Sequence, residues 1–133
     1  MKIILPDQVA HIVEDRIRAK YPDFSVVHTD SEGNPLGDIA DASILVRWWY
    51  GQTEFMNIVR AAPQLRWVYT PSAGIEYMDL QYMRDHGIVL TNAAGVHAIP
   101  IAEFIMMFVL NHAKKAPVLT NFARDAWEDI ERT

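Results

Sequence analysis

At 133 residues, half of them apolar and 11% aromatic, the chain has the size and hydrophobic content of one globular domain with a real core. Twelve basic residues, scattered rather than striped, against seventeen acidic ones give a net charge of -5, the opposite of what a phosphate backbone attracts, so nucleic acid is excluded as an expected partner. The sequence has no cysteine, which excludes disulfides, thiolate metal sites and cysteine nucleophiles and suits a cytoplasmic protein. The amino terminus enters an apolar strand directly, without the basic segment and small-residue cleavage site of a secretory signal. The longest apolar run, Ile99 to Leu110, is interrupted by Glu103 and falls short of the roughly 20 residues a membrane crossing needs. A soluble protein is expected.

Apolar runs then alternate with segments of helical period. Lys2 to Leu5 reads as a buried strand, and Asp7 is placed to cap a helix whose apolar positions are Val9, Ile12, Val13 and Ile17. Phe24 to His28 is a second strand, and Asp30 to Gly37, with Gly33 and Pro35 inside it, is a loop. Ser43 to Trp49 is a third strand, Glu54 to Ala61 a helix stopped by Pro63, and Leu65 to Thr70 a fourth strand. Met78 to Asp85 forms a helix ended by Gly87, followed by a fifth strand over Ile88 to Thr91. Strands alternating with helices imply an α/β fold, a parallel sheet covered on both faces whose ligands gather beyond the carboxyl ends of the strands.

After the fifth strand the pattern changes. Pro100 suits the first turn of a helix, Glu103 is expected in that turn, and the segment to Leu110 is apolar on nearly every face, as in a helix buried on all sides. A small domain alone does not easily cover such a helix. Pro117 lacks the amide for an intrahelical bond, so a kink or restart is expected there before the chain runs on towards Trp127.

The carboxyl ends of strands three, four and five carry the candidate site. Thr70-Pro71-Ser72-Ala73-Gly74-Ile75-Glu76 is a turn of small residues in which the backbone can approach a ligand and direct amides at a carboxylate. Gly74 is its critical position, since a side chain there is expected to displace the backbone or meet a forbidden dihedral. The same residues also suit a plain strand-to-helix turn. His97, just before the long helix, is placed as a ligand contact or as a cap. Trp48 and Trp49, in Arg47-Trp48-Trp49-Tyr50-Gly51, can wall a small-substrate pocket or pack in the core.

The run Pro63-Gln64-Leu65-Arg66-Trp67-Val68, then Ser72-Ala73-Gly74-Ile75-Glu76, then Gly87-Ile88-Val89-Leu90-Thr91-Asn92, then Gly95-Val96-His97-Ala98-Ile99-Pro100-Ile101-Ala102-Glu103-Phe104 is similar, in order and spacing, to the amino-terminal region of D-isomer-specific 2-hydroxyacid dehydrogenases. The resemblance covers essentially the whole chain. It implies a flavodoxin-like substrate-binding domain over residues 1–98. It also implies a helical segment over 99–133, kinked near Pro117, that links to an NAD(P)-binding domain and helps form a homodimer. By the same resemblance Ser72, Ala73, Gly74 and Ile75 hold the carboxylate of a 2-oxo acid through backbone amides. His97 matches a position beside the substrate that is often asparagine, and Trp48 and Trp49 match a pocket wall.

The family's dinucleotide fingerprint, its substrate-polarising arginine and its acid-base histidine with a carboxylate partner are expected beyond Thr133. No G-x-G-x-x-G occurs in the sequence. Neither NAD nor NADP is therefore expected to bind these residues, no residue here is assigned a catalytic or metal-binding role, and the chain is expected to be inactive by itself. A phosphoacceptor module wants an aspartate at the end of strand three and a lysine after strand five, which Arg47-Trp48-Trp49 and Thr91-Asn92 do not supply. A flavodoxin-type carrier wants a hydroxyl-rich loop after strand one, unlike Leu5-Pro6-Asp7-Gln8. The alternative that stays open is a non-catalytic interaction module that dimerises through its apolar helix.

Overall fold

Five short strands lie side by side, all parallel, in the order β2-β1-β3-β4-β5. They are β1 (Lys2–Pro6), β2 (Ser25–Thr29), β3 (Ala42–Val46), β4 (Trp67–Thr70) and β5 (Val89–Asn92), with helices α1 (Asp7–Lys20), α2 (Gln52–Ala61), α3 (Leu80–Asp85) and α4 (Ala98–Ala113). The computed structural model describes residues 1–116. The chain divides into two compact units, Met1–Ala94 and a second that begins at Gly95.

In the first unit, alternation along the strands sorts side chains onto two faces. Ile4, Leu45 and Val68 stand in register across β1, β3 and β4 and are fully buried. They form one core with Phe55, Met56, Ile58 and Val59 of α2 and Met83 of α3. Leu5 turns to the opposite face, where it packs with Val9 and Ala10 of α1. That second face is less filled: an open apolar cleft of about 420 Å³ is lined by Ile44, Val46, Trp67 and Tyr69 of the sheet and by Val13 and Ile17 of α1. The α/β class and parallel sheet expected from the alternating pattern are the observed architecture.

Local chemistry moves several boundaries. Pro6, not Asp7, occupies the N-cap of α1, and no side chain caps it. Asp7 instead sits in the first turn with its carboxylate 2.9 Å from His28 Nδ1, a position that also suits the helix dipole. Ile12, expected on the apolar stripe, is 60% exposed. β3 ends at Val46 rather than Trp49. The Arg47 amide still bonds the Tyr69 carbonyl, but the Arg47 side chain folds back onto the Tyr50 carbonyl and turns the chain out of the sheet. β4 begins at Trp67 rather than Leu65, because the Leu65 amide closes a turn onto Ala62. α3 begins at Leu80 because Asp79 caps it, accepting from the Tyr82 amide at 3.0 Å.

Between β2 and β3 the chain crosses without a helix. Asp30 folds this loop by accepting from the Glu32 and Asn34 amides and the Asn34 side chain, at 2.8–2.9 Å. Gly33 supplies the turn at φ +90, and Gly87 likewise ends α3 at φ +65.

In the second unit, α4 has Pro100 as its third residue, where the missing amide costs no intrahelical bond. Glu103 is the sixth residue, so it lies past the first turn where it was expected. No residue of α4 is buried within this single chain, as expected of a helix that a small domain alone does not cover. The expected kink at Pro117 and the course towards Trp127 lie outside the described residues. Among the described residues no helix is long and apolar enough to cross a membrane, and no group of three metal-ligating side chains is assembled.

Candidate functional site

The turn after β4 is held by its carbonyls and leaves amides free. Asn92, the last residue of β5, donates its side-chain amide to the Ala73 carbonyl at 2.7 Å, and the Ala93 amide reaches the Ser72 carbonyl at 3.4 Å. The Ile75 carbonyl accepts from the Met78 amide at 3.0 Å. The Ser72 amide is turned inward to the Thr70 hydroxyl, itself fully buried at the end of β4. The amides of Ala73, Gly74 and Ile75 have no acceptor among the described residues. Three consecutive free donors on a braced turn at the carboxyl end of a parallel sheet form an arrangement suited to a carboxylate.

Gly74 does not have the backbone geometry that would demand glycine. The positive-φ glycines are Gly33, Gly87 and Gly95. A Cβ at Gly74 would meet only the flexible end of Glu76, at 2.7 Å from its carboxylate oxygen. The expectation of a forbidden dihedral there is therefore wrong.

The other candidates are placed separately. Trp48 is half-buried and lines the cleft on the α1 face, whereas Trp49 is 70% exposed with its ring edge-on to Trp48 at 6.1 Å between centroids. His97 belongs to the second unit as the exposed N-cap residue of α4, and its side chain makes no cap hydrogen bond.

Arg47 is the residue that the sequence pattern underrates. It is 6% exposed, the one buried charged side chain among the described residues. One guanidinium nitrogen donates to the Tyr77 hydroxyl at 2.8 Å and, more loosely, to the Ser72 hydroxyl at 3.5 Å; another donates to the Tyr50 carbonyl at 2.9 Å. The rings of Tyr77, Phe55 and Tyr50 surround it, with centroids 5.0, 5.6 and 6.0 Å away. Burial pushes the Tyr50 phenol well above its usual pKa, so Tyr50 brings no negative charge to the guanidinium. The signal was present in the sequence: an arginine inside an otherwise apolar strand run is seldom buried without a purpose. Thr70, a polar residue buried at the end of β4, was legible by the same rule.

The βα turn that would carry a dinucleotide pyrophosphate in such a sheet is Leu5-Pro6-Asp7, with Pro6 buried and no glycine to let a ligand near the backbone. These residues do not fit a nicotinamide cofactor.

The five-stranded parallel sheet with flanking helices is an α/β domain whose candidate site lies beyond the carboxyl ends of its strands. The family model described as D-isomer specific 2-hydroxyacid dehydrogenase, catalytic domain, matches residues 3–130, and the chain belongs to that family. Among curated relatives, erythronate-4-phosphate dehydrogenase of Pseudoalteromonas atlantica is 29% identical over 118 residues, covering 86% of this chain and 29% of that protein. The corresponding protein of Shewanella loihica is 23% identical over 116 residues, with the same coverage. The chain thus spans under a third of the length of the curated relatives it matches. Among solved structures, a D-isomer specific 2-hydroxyacid dehydrogenase of Xanthobacter autotrophicus, complexed with NADPH and MES, superposes with a TM-score of 0.58 at 20% identity, over 93% of this chain and 40% of that one. D-Lactate dehydrogenase of Aquifex aeolicus, complexed with NAD and lactic acid, gives 0.59 at 19% identity, over 91% and 38%. These likenesses show a shared fold.

Proposed function

We propose that these residues are the substrate-binding portion of an oxidoreductase that interconverts 2-oxo acids and D-2-hydroxy acids with NADH or NADPH. The observation that carries the reading is the trio of free amides at Ala73, Gly74 and Ile75 in a member of this family. In this reading the turn Ser72–Ile75 holds the substrate carboxylate and fixes its orientation. Trp49, exposed on the loop after β3, contributes a wall to that site. The cofactor supplies or accepts hydride when bound, and it is held, with the acid-base residues, by parts of the protein other than these. Residues 99–133 connect the two domains and contribute to a homodimer. The cysteine-free composition supports a cytoplasmic setting.

The test combines an assay and a titration. The 133-residue chain is expected to show no turnover of pyruvate with NADH or NADPH, while pyruvate shifts the amide resonances of Ala73, Gly74 and Ile75. Cofactor-dependent turnover in a preparation free of contaminating enzyme would overturn the inactivity, and unmoved amides the carboxylate site. The exposed apolar surface of α4 favours a second reading, a non-catalytic dimerising module. That reading requires association without any response to pyruvate, so the same titration separates the two.

A further inference from the structure

Arg47 is buried without a counter-charge. Among the described residues no carboxylate lies within salt-bridge distance of it, and its Nε has no acceptor at all. A desolvated cation is costly unless something anionic completes its surroundings. Neutral groups only partly meet the need: two hydroxyls, one carbonyl and three aromatic rings. Two of those partners, Ser72 and Tyr77, sit at either end of the segment that presents the free amides of Ala73, Gly74 and Ile75. One guanidinium therefore spans the turn and ties both its ends to the loop after β3.

We propose that Arg47 is a positioning residue for the carboxylate turn, and that the anion bound on that turn supplies the negative charge its guanidinium lacks. This deepens the reading of Ser72–Ile75 as a carboxylate site and rests on it. One guanidinium nitrogen holds the turn through Ser72 and Tyr77, and the charge raises the potential at the turn that carries the three free amides. The Tyr77 hydroxyl accepts from Arg47, so its own proton is left to donate outward.

A charge effect is separated from a purely structural brace by comparing pyruvate with its uncharged analogue pyruvamide, each titrated into the chain while the Gly74 amide is followed by NMR. In Arg47→Met the affinity for pyruvate is expected to fall about tenfold or more, the scale of a lost charge-assisted interaction, while pyruvamide changes by less than about twofold. Arg47→Lys keeps the charge and is expected to recover most of the pyruvate affinity. If Arg47→Met does not fold, Arg47→Gln, which retains a donor for the Tyr50 carbonyl, carries the same comparison. Equal pyruvate affinity in parent and neutral variant, or a matching loss for both probes, overturns the proposal while leaving the carboxylate site standing. A parent whose Gly74 amide ignores pyruvate overturns the site reading and this inference together.

Discussion

Gly33 shows how one residue can be fixed by two independent constraints. Its φ of +90 lies where side chains are rarely tolerated, and an added Cβ would come within 2.9 Å of the Tyr50 ring, which is buried and has little room to retreat. Gly33→Ala is therefore expected to cost about 1–3 kcal/mol of stability, read from chemical denaturation. Gly37→Ala is the control, since its Cβ would meet Val27 at an ordinary 3.4 Å. A Gly33→Ala protein as stable as Gly37→Ala would mean that the loop after β2 relaxes freely. The same ring borders Arg47, so this loop also bears on the guanidinium that contacts Ser72 and Tyr77.

At the scale of elements, α1 meets the edge strand β2 through polar side chains. Glu14 and Asp7 of α1 reach the two ring nitrogens of His28 at 2.8 and 2.9 Å. The Arg18 guanidinium, and then His28, hold the Glu14 carboxyl below its ordinary pKa. A carboxyl whose folded pKa is lowered stabilises the fold fully above its unfolded value of about 4.3, and that contribution is lost as pH falls through the folded pKa. Acid unfolding of the parent is expected to be steeper below about pH 5 than that of Glu14→Gln, and identical pH profiles for the two would show that the link carries no stability. The element order and the strand identities were legible because apolar runs and turn residues alternate so regularly. Element ends were not, because they depend on side chains meeting across the fold: Asp79 finding the Tyr82 amide, or Arg47 reaching the Tyr50 carbonyl. The turn after β4 was legible as a turn from its small residues, but its bracing by Asn92 and Arg47 joins residues 19 and 25 positions apart, beyond the reach of local pattern.

For the molecule as a whole, the second unit carries the large exposed apolar side chains of α4. Ile99, Ile101, Phe104, Ile105, Phe108 and Leu110 of α4 are each more than half exposed, and Phe104 packs edge-on to Phe108 at 4.9 Å. An apolar surface spread around a helix drives association. The chain is expected to sediment as a dimer or larger species, and Phe108→Glu to shift it towards monomer; a parent that stays monomeric at high micromolar concentration would sink this expectation. The strand order has a different consequence, one in time. β1 lies between β2 and β3, both of which follow it in the chain. As the polypeptide leaves the ribosome, β1 therefore has no neighbour on one side until Ser25–Thr29 emerges, and none on the other until Ala42–Val46 does. β1 is thus made before both of its neighbours and waits longest for its second one, so assembly of the sheet waits on closing the loop to β3 and is slowed by that long-range pairing.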